Sequence, residues 1–190
     1  MIRQAIKLPL LLACLLLSGW LPSAGQEISP SGFTIKPSAV VVPAGAELGR
    51  YRRIIQPFEN WDLICDENLK AKKKVCNITQ TILDSDGQFA FGWSLAATEE
   101  GKPIMILRTR PGLGLNKPVL LSFPGRKEPV AVETHACDSS VCVALLPVGP
   151  VLREQIGKAA TVQISYSTET ANLAFEAPLK GMSAALAAIK

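Results

Sequence analysis

Apolar side chains fall on every second position from Phe89 through Phe91 and Trp93 to Leu95, the alternation of a strand with one buried and one solvated face. Further apolar or β-branched runs occupy 61–65, 75–83, 104–108, 119–123, 130–134, 141–146, 160–168 and 172–177. Gly, Pro and Asp punctuate them at intervals of about 10–15 residues, the rhythm of a β-sandwich or barrel. Two short helices are expected. One spans 150–156, with Pro150 suited to a first helical position and Gly157 at its end. The other spans 183–190, is rich in Ala, and has Ser183 as its expected N-cap.

The first 25 residues follow a different pattern. Arg3 and Lys7 precede an apolar run from Leu8 to Trp20, and Pro22, Ser23, Ala24 and Gly25 close it. A basic start, a short apolar run and small residues make a secretory signal peptide over 1–25, with cleavage expected after Gly25. The run is short for a membrane span, which needs about 20 residues, and no other stretch qualifies. An uncleaved anchor is one alternative. Leu12-Ala13-Cys14 offers another, a lipidated Cys14, but the apolar run before it is shorter than the usual 7–15 or so residues. Residues 26–57 hold Pro30, Pro37, Pro43, Gly32, Gly45 and Gly49, and are expected to form a leader or linker. The β domain is then expected over 58–190.

The 190 residues are 48% hydrophobic and 19% charged, enough apolar material for one core and too little charge for wholesale disorder. The net charge of +4 drops to +2 once Arg3 and Lys7 leave with the signal. A near-neutral chain lacks the strongly basic face of a dedicated nucleic-acid binder. Loss of Cys14 leaves Cys65, Cys76, Cys137 and Cys142. An even count in an exported chain points to two disulfides. Three pairings are open. The local ones, Cys65–Cys76 and Cys137–Cys142, are preferred because each pair flanks a polar turn between strand-like runs. Zinc held by His135, Cys137 and Cys142 is the competing reading, but the spacing matches no standard site and oxidation removes the thiols.

Lys70, Lys72, Lys73 and Lys74 cluster between Cys65 and Cys76. Such a cluster is the usual dressing of a solvated hairpin tip. It also makes the first candidate binding surface, suited to lipopolysaccharide, glycans or phospholipid headgroups. Asp66 and Glu67 partly offset its charge. Asp84-Ser85-Asp86-Gly87 lacks the later ligands of a calcium loop and reads as a hairpin turn. Pro111-Gly112-Leu113-Gly114 lacks the ending of a phosphate loop and reads as a tight turn. No motif calls for a cofactor or a metal. His135 could serve Ser139 or Ser140 as a base, but no nucleophile elbow surrounds them and no paired carboxylates stand out. A non-enzyme is therefore expected, with a hydrolase built around His135 as the lesser alternative and a structural envelope component as another.

An ordered set of motifs resembles the invasion-associated locus B (IalB) family. Phe58-Glu59-Asn60-Trp61 with Cys65 and Val75-Cys76-Asn77-Ile78-Thr79-Gln80 resemble its opening. Residues 111–119 resemble its glycine-containing turn, and Cys137 with Cys142-Val143-Ala144 its second cysteine pair. Leu179-Lys180-Gly181-Met182 and Ala184-Ala185-Leu186 resemble its closing turn and helix. The resemblance covers residues 58–189 and implies an exported, β-rich protein of Gram-negative bacteria. It supplies no catalytic residue. The whole reading is an all-β, disulfide-stapled sandwich or barrel-like fold with a C-terminal helix. It acts by binding in the periplasm or at the outer surface, where its partner is a protein, a glycan or an anionic envelope surface.

Overall fold

Every segment whose alternation marks it as extended is a strand in the computed structural model, and one more strand precedes them. The structure describes residues 40–189 apart from Glu99 and Asn116. The expected signal peptide, Cys14 and the leader as far as residue 39 lie outside the described residues. The strands are β1 (Tyr51–Phe58), β2 (Trp61–Asn68), β3 (Lys73–Leu83), β4 (Phe89–Ala97) and β5 (Pro103–Thr109). They continue as β6 (Pro118–Ser122), β7 (Val130–Cys137), β8 (Cys142–Pro147), β9 (Thr161–Ser167) and β10 (Asn172–Pro178). Helix α1 (Pro150–Gly157) lies between β8 and β9, and α2 (Met182–Ala188) follows β10.

All ten strands form one antiparallel sheet in the order β1-β2-β3-β4-β5-β8-β7-β6-β9-β10. β6, β7 and β8 are a meander whose two flanks are taken by β9 and β5, which makes two interlocked Greek keys. The sheet rolls until β10 lies over β3 and β4. The Phe91 and Phe175 rings are 5.6 Å apart, and the Trp61 indole donates to the Pro178 carbonyl at 3.2 Å. The Tyr166 hydroxyl closes a further contact onto the Ala90 carbonyl. Trp61, Leu63, Ile78, Phe91, Trp93, Met105, Leu107, Val119, Leu121, Val162 and Ile164 fill the interior.

Three features depart from the sequence reading. β4 is buried on both faces from Ala90 to Leu95 and is not half-buried, because it sits in the middle of a rolled sheet. The sheet begins earlier than Phe58, since β1 pairs with β2 over its whole length from Tyr51 opposite Asn68 to Phe58 opposite Trp61. Ser183 does not cap α2. Gly181 takes the N-cap position, and the Ser183 hydroxyl donates to the Ile156 carbonyl of α1 at 3.1 Å. The hydroxyl thus joins the two helices and leaves the helix start to a glycine with φ +97°.

The turns behave as their residues suggest. The Asp84 carboxylate accepts from the Asp86 and Gln88 backbone N–H groups, both at 2.9 Å, and pairs with Arg110. Around Pro111-Gly112-Leu113-Gly114 the chain turns with Leu113 buried, and the Thr134 hydroxyl donates to the Gly114 carbonyl at 2.6 Å. Among the described residues no helix is long and apolar enough to cross a membrane.

Candidate functional site

The β2–β3 hairpin gathers the candidate lysines at one end of the sheet. Its ladder places Cys65 directly opposite Cys76, and the two are joined in a disulfide. Chain-entropy reasoning puts the gain from a loop of this length at about 2–3 kcal/mol. Beyond the disulfide the strands run on to Asn68 opposite Lys73. The turn between them is shaped by Asn68, whose side-chain oxygen accepts from the backbone N–H groups of Lys70 at 3.1 Å and Ala71 at 2.9 Å. This is an Asx turn, in which a short polar side chain replaces a backbone acceptor. Lys72 closes it with φ +52°.

Lys70, Lys72, Lys73 and Lys74 are all exposed at this tip. Strand alternation sends Lys73 and Lys74 to opposite faces of β3. Lys70 pairs with Glu47 at 3.1 Å. The acids that offset the cluster in the sequence are engaged by β1. Arg52 binds Glu67 at 2.6 Å, and Arg53 holds Asp66 with two bonds, of 2.7 and 2.8 Å. The β1–β2 register sets both pairs directly across the ladder. Among the described residues Arg50, Lys72 and Lys73 have no acidic partner. The tip is therefore a net cationic surface on a pinned hairpin.

The Arg53 guanidinium, through its hydrogen bonds, holds the Asp66 carboxyl below the usual carboxylate range, with burial opposing. A lowered folded value means that the pair's stabilisation is present above the unfolded Asp range near pH 4. It is lost as pH falls through the folded value. The pair is partly solvated, so its contribution is below about 1 kcal/mol. The stability gap between the wild type and Asp66→Asn is expected to be largest near neutral pH and to close towards pH 2. Urea unfolding at a series of pH values checks this, and a gap that widens on acidification contradicts it.

Other candidate residues lie elsewhere. Cys137 and Cys142 are joined at the end of the β7–β8 hairpin, where the Asp138 carboxylate accepts from the backbone N–H groups of Ser140 and Val141. His135 is exposed beside the register shift between Thr134 and Ala136. Ser139 and Ser140 belong to that exposed hairpin loop. His135 is thus not enclosed with these serines in a buried cleft.

The sequence reading missed Arg50, Arg52 and Arg53 as members of the basic end, and Glu47 and Leu48 as its neighbours. The turn carrying Glu47 and Leu48 closes with the Arg50 N–H donating to the Glu47 carbonyl at 3.0 Å. The Leu69 N–H then reaches the Arg50 carbonyl at 2.8 Å, which sets the two turns side by side. A signal existed in the order of charges. Arg52-Arg53 precedes Asp66-Glu67 in an arrangement that an antiparallel pair brings into opposition.

A family model described as invasion associated locus B (IalB) protein matches residues 61–190. The crystal structure of invasion associated protein B from Bartonella henselae is similar to this chain at a TM-score of 0.55 and 15% identity. The similarity covers 70% of this chain and 94% of that one. At such identity the likeness carries the fold alone. No curated protein matches the chain.

Proposed function

Because the chain belongs to the invasion-associated locus B family, we propose that it is an exported, non-catalytic binding protein of the bacterial cell envelope whose contact surface is the tip of the β2–β3 hairpin. The single observation that carries this reading is the state of the charges there. Lys72 and Lys73 stand exposed at the tip of a disulfide-pinned hairpin with no acidic partner among the described residues, while Asp66 and Glu67 are bound by arginines of the neighbouring strand. A preformed cationic loop loses little conformational freedom on meeting an anionic surface. Two disulfides and the pattern of the first 25 residues support an oxidising compartment, hence the periplasm or the outer surface. The invasion-associated name of the family and of the Bartonella protein is consistent with surface contact, including contact with a host cell.

The test uses the mature chain and an isolated Gram-negative envelope fraction. The double variant Lys72→Glu/Lys73→Glu is expected to lose about tenfold or more in retention at low salt, given roughly 1 kcal/mol per basic residue near an anionic surface. Retention of the wild type should fall as salt rises. Equal retention of variant and wild type, with both folded by circular dichroism, places the contact elsewhere and ends this reading.

A further inference from the structure

The same end of the molecule carries exposed apolar side chains among its cations. Leu48 is 82% exposed, Val75 69% and Leu69 40%. Single exposed leucines need no explanation. These are grouped by the fold. Leu48 and Leu69 sit on the two adjacent turns tied by the Leu69-to-Arg50 backbone bond and the Lys70–Glu47 ion pair. Val75 lies on β3 just behind the tip, opposite Asp66. Arg50, Lys72 and Lys73, which lack acidic partners among the described residues, flank them in the chain.

Resting on the binding role of this tip, we propose that its partner is an anionic phospholipid bilayer, with Leu48 and Leu69 entering the boundary between headgroups and acyl chains while Arg50, Lys72 and Lys73 meet the phosphates. A soluble polyanion offers counter-charge and nothing for the leucines. A bilayer interface offers both, and interfacial binding scales with buried apolar area together with electrostatic attraction. The Leu69 turn is held by the Asn68 side chain in front of the Cys65–Cys76 disulfide, and the Leu48 turn by the Arg50-to-Glu47 backbone bond and by the Leu69-to-Arg50 bond between the two. The leucines are therefore presented on a rigid base.

The experiment is co-sedimentation of the mature chain with phosphatidylcholine vesicles, with and without about one-third phosphatidylglycerol, at low and high salt. Retention on a heparin column is measured in parallel. Binding is expected to the anionic vesicles only. Leu48→Ser/Leu69→Ser should weaken vesicle binding about tenfold and leave both heparin retention and the salt dependence unchanged. Lys72→Gln/Lys73→Gln should weaken both vesicle and heparin binding and flatten the salt dependence. All four substitutions are at exposed positions, and thermal unfolding confirms that each variant is folded. Wild type that pellets equally with neutral and anionic vesicles overturns the proposal, as does a leucine variant that binds anionic vesicles like wild type. If Lys72 and Lys73 still govern retention on the envelope fraction in that event, the bilayer is wrong and the cationic binding role stands.

Discussion

Gly181→Ala is expected to lower the unfolding free energy by about 4–5 kcal/mol, at the upper end of single-substitution effects. Gly181 opens α2 with φ +97°, a conformation that costs an L-residue roughly 1–2 kcal/mol. Space adds more than conformation does. A Cβ at this position falls 2.0 Å from the Phe58 carbonyl oxygen, 2.8 Å from its carbon and 3.0 Å from the Glu59 Cβ. The nearest obstacle is backbone at the β1–β2 turn, where Phe58 is in register with Trp61 and Glu59 itself has φ +56°. Neither side can give way without lifting α2, and with it Met182 and Ala185, out of the core. Gly87→Ala provides the comparison, because Gly87 also has a positive φ of +74° but no atom within 4 Å. It should cost only about 1–2 kcal/mol. Urea unfolding of both variants isolates the close approach. Losses within about 1 kcal/mol of each other show that the contact at Phe58 relaxes freely.

Gln80→Leu is expected to cost about 3–4 kcal/mol. Gln80 is only 6% exposed and is the polar hub of the interior. Its side-chain oxygen accepts from the Trp93 indole N–H at 2.9 Å, and its amide donates to the Asn60 and Pro178 carbonyls, both at 3.1 Å. The Pro178 carbonyl also takes the Trp61 indole, whose ring lies 5.4 Å from that of Trp93. The network therefore fastens β2, β3 and β4 to the end of β10, where the rolled sheet closes. Leucine fits the volume and gains one CH₂-equivalent of transfer, about 1 kcal/mol. It leaves a buried indole N–H and a carbonyl short of partners, at roughly 1–3 kcal/mol each. The unpaired groups win. Gln80→Glu is a second probe with a sign. It keeps an acceptor for Trp93 but turns towards two carbonyls as an anion, so burial raises its pKa. Its deficit against wild type should therefore grow as pH rises from 4 to 8. A Gln80→Leu protein as stable as wild type shows that the network contributes nothing net.

Much of this was legible in the residues because the signals are local. Phe89, Phe91, Trp93 and Leu95 mark β4 without knowledge of its neighbours. Asp84 to Gly87 and Pro111 to Gly114 mark turns by residues that favour those backbone conformations. Cys65 and Cys76 flank a charged turn, and hairpin geometry alone suffices to set them opposite each other. β1 was not legible. Arg52, Arg53, Gln56 and Pro57 give it no inward apolar stripe, and it is a strand because it completes a ladder with β2 and pairs its arginines with Asp66 and Glu67. The candidate site shows the same division. The lysines stand together in the sequence, whereas Leu48 and Arg50 reach them through the Leu69-to-Arg50 backbone bond that extends that ladder and through the Lys70–Glu47 ion pair.

By itself the sequence determined an all-β domain with nine of its strand segments, a preference for the two local cysteine pairs, a C-terminal helix and a cationic loop, since alternation, turn chemistry and short-range pairing act within a few residues. It also carried enough ordered motifs to point to the family. Only the tertiary structure decided that β5 lies beside β8, that β6 lies between β7 and β9, and that the sheet rolls until Gln80 meets Pro178 and Gly181 meets Phe58. The contact of Gln80 with Pro178 joins residues 98 positions apart. Such contacts are selected by the burial of whole faces and the satisfaction of interior polar groups, which no local window of residues contains.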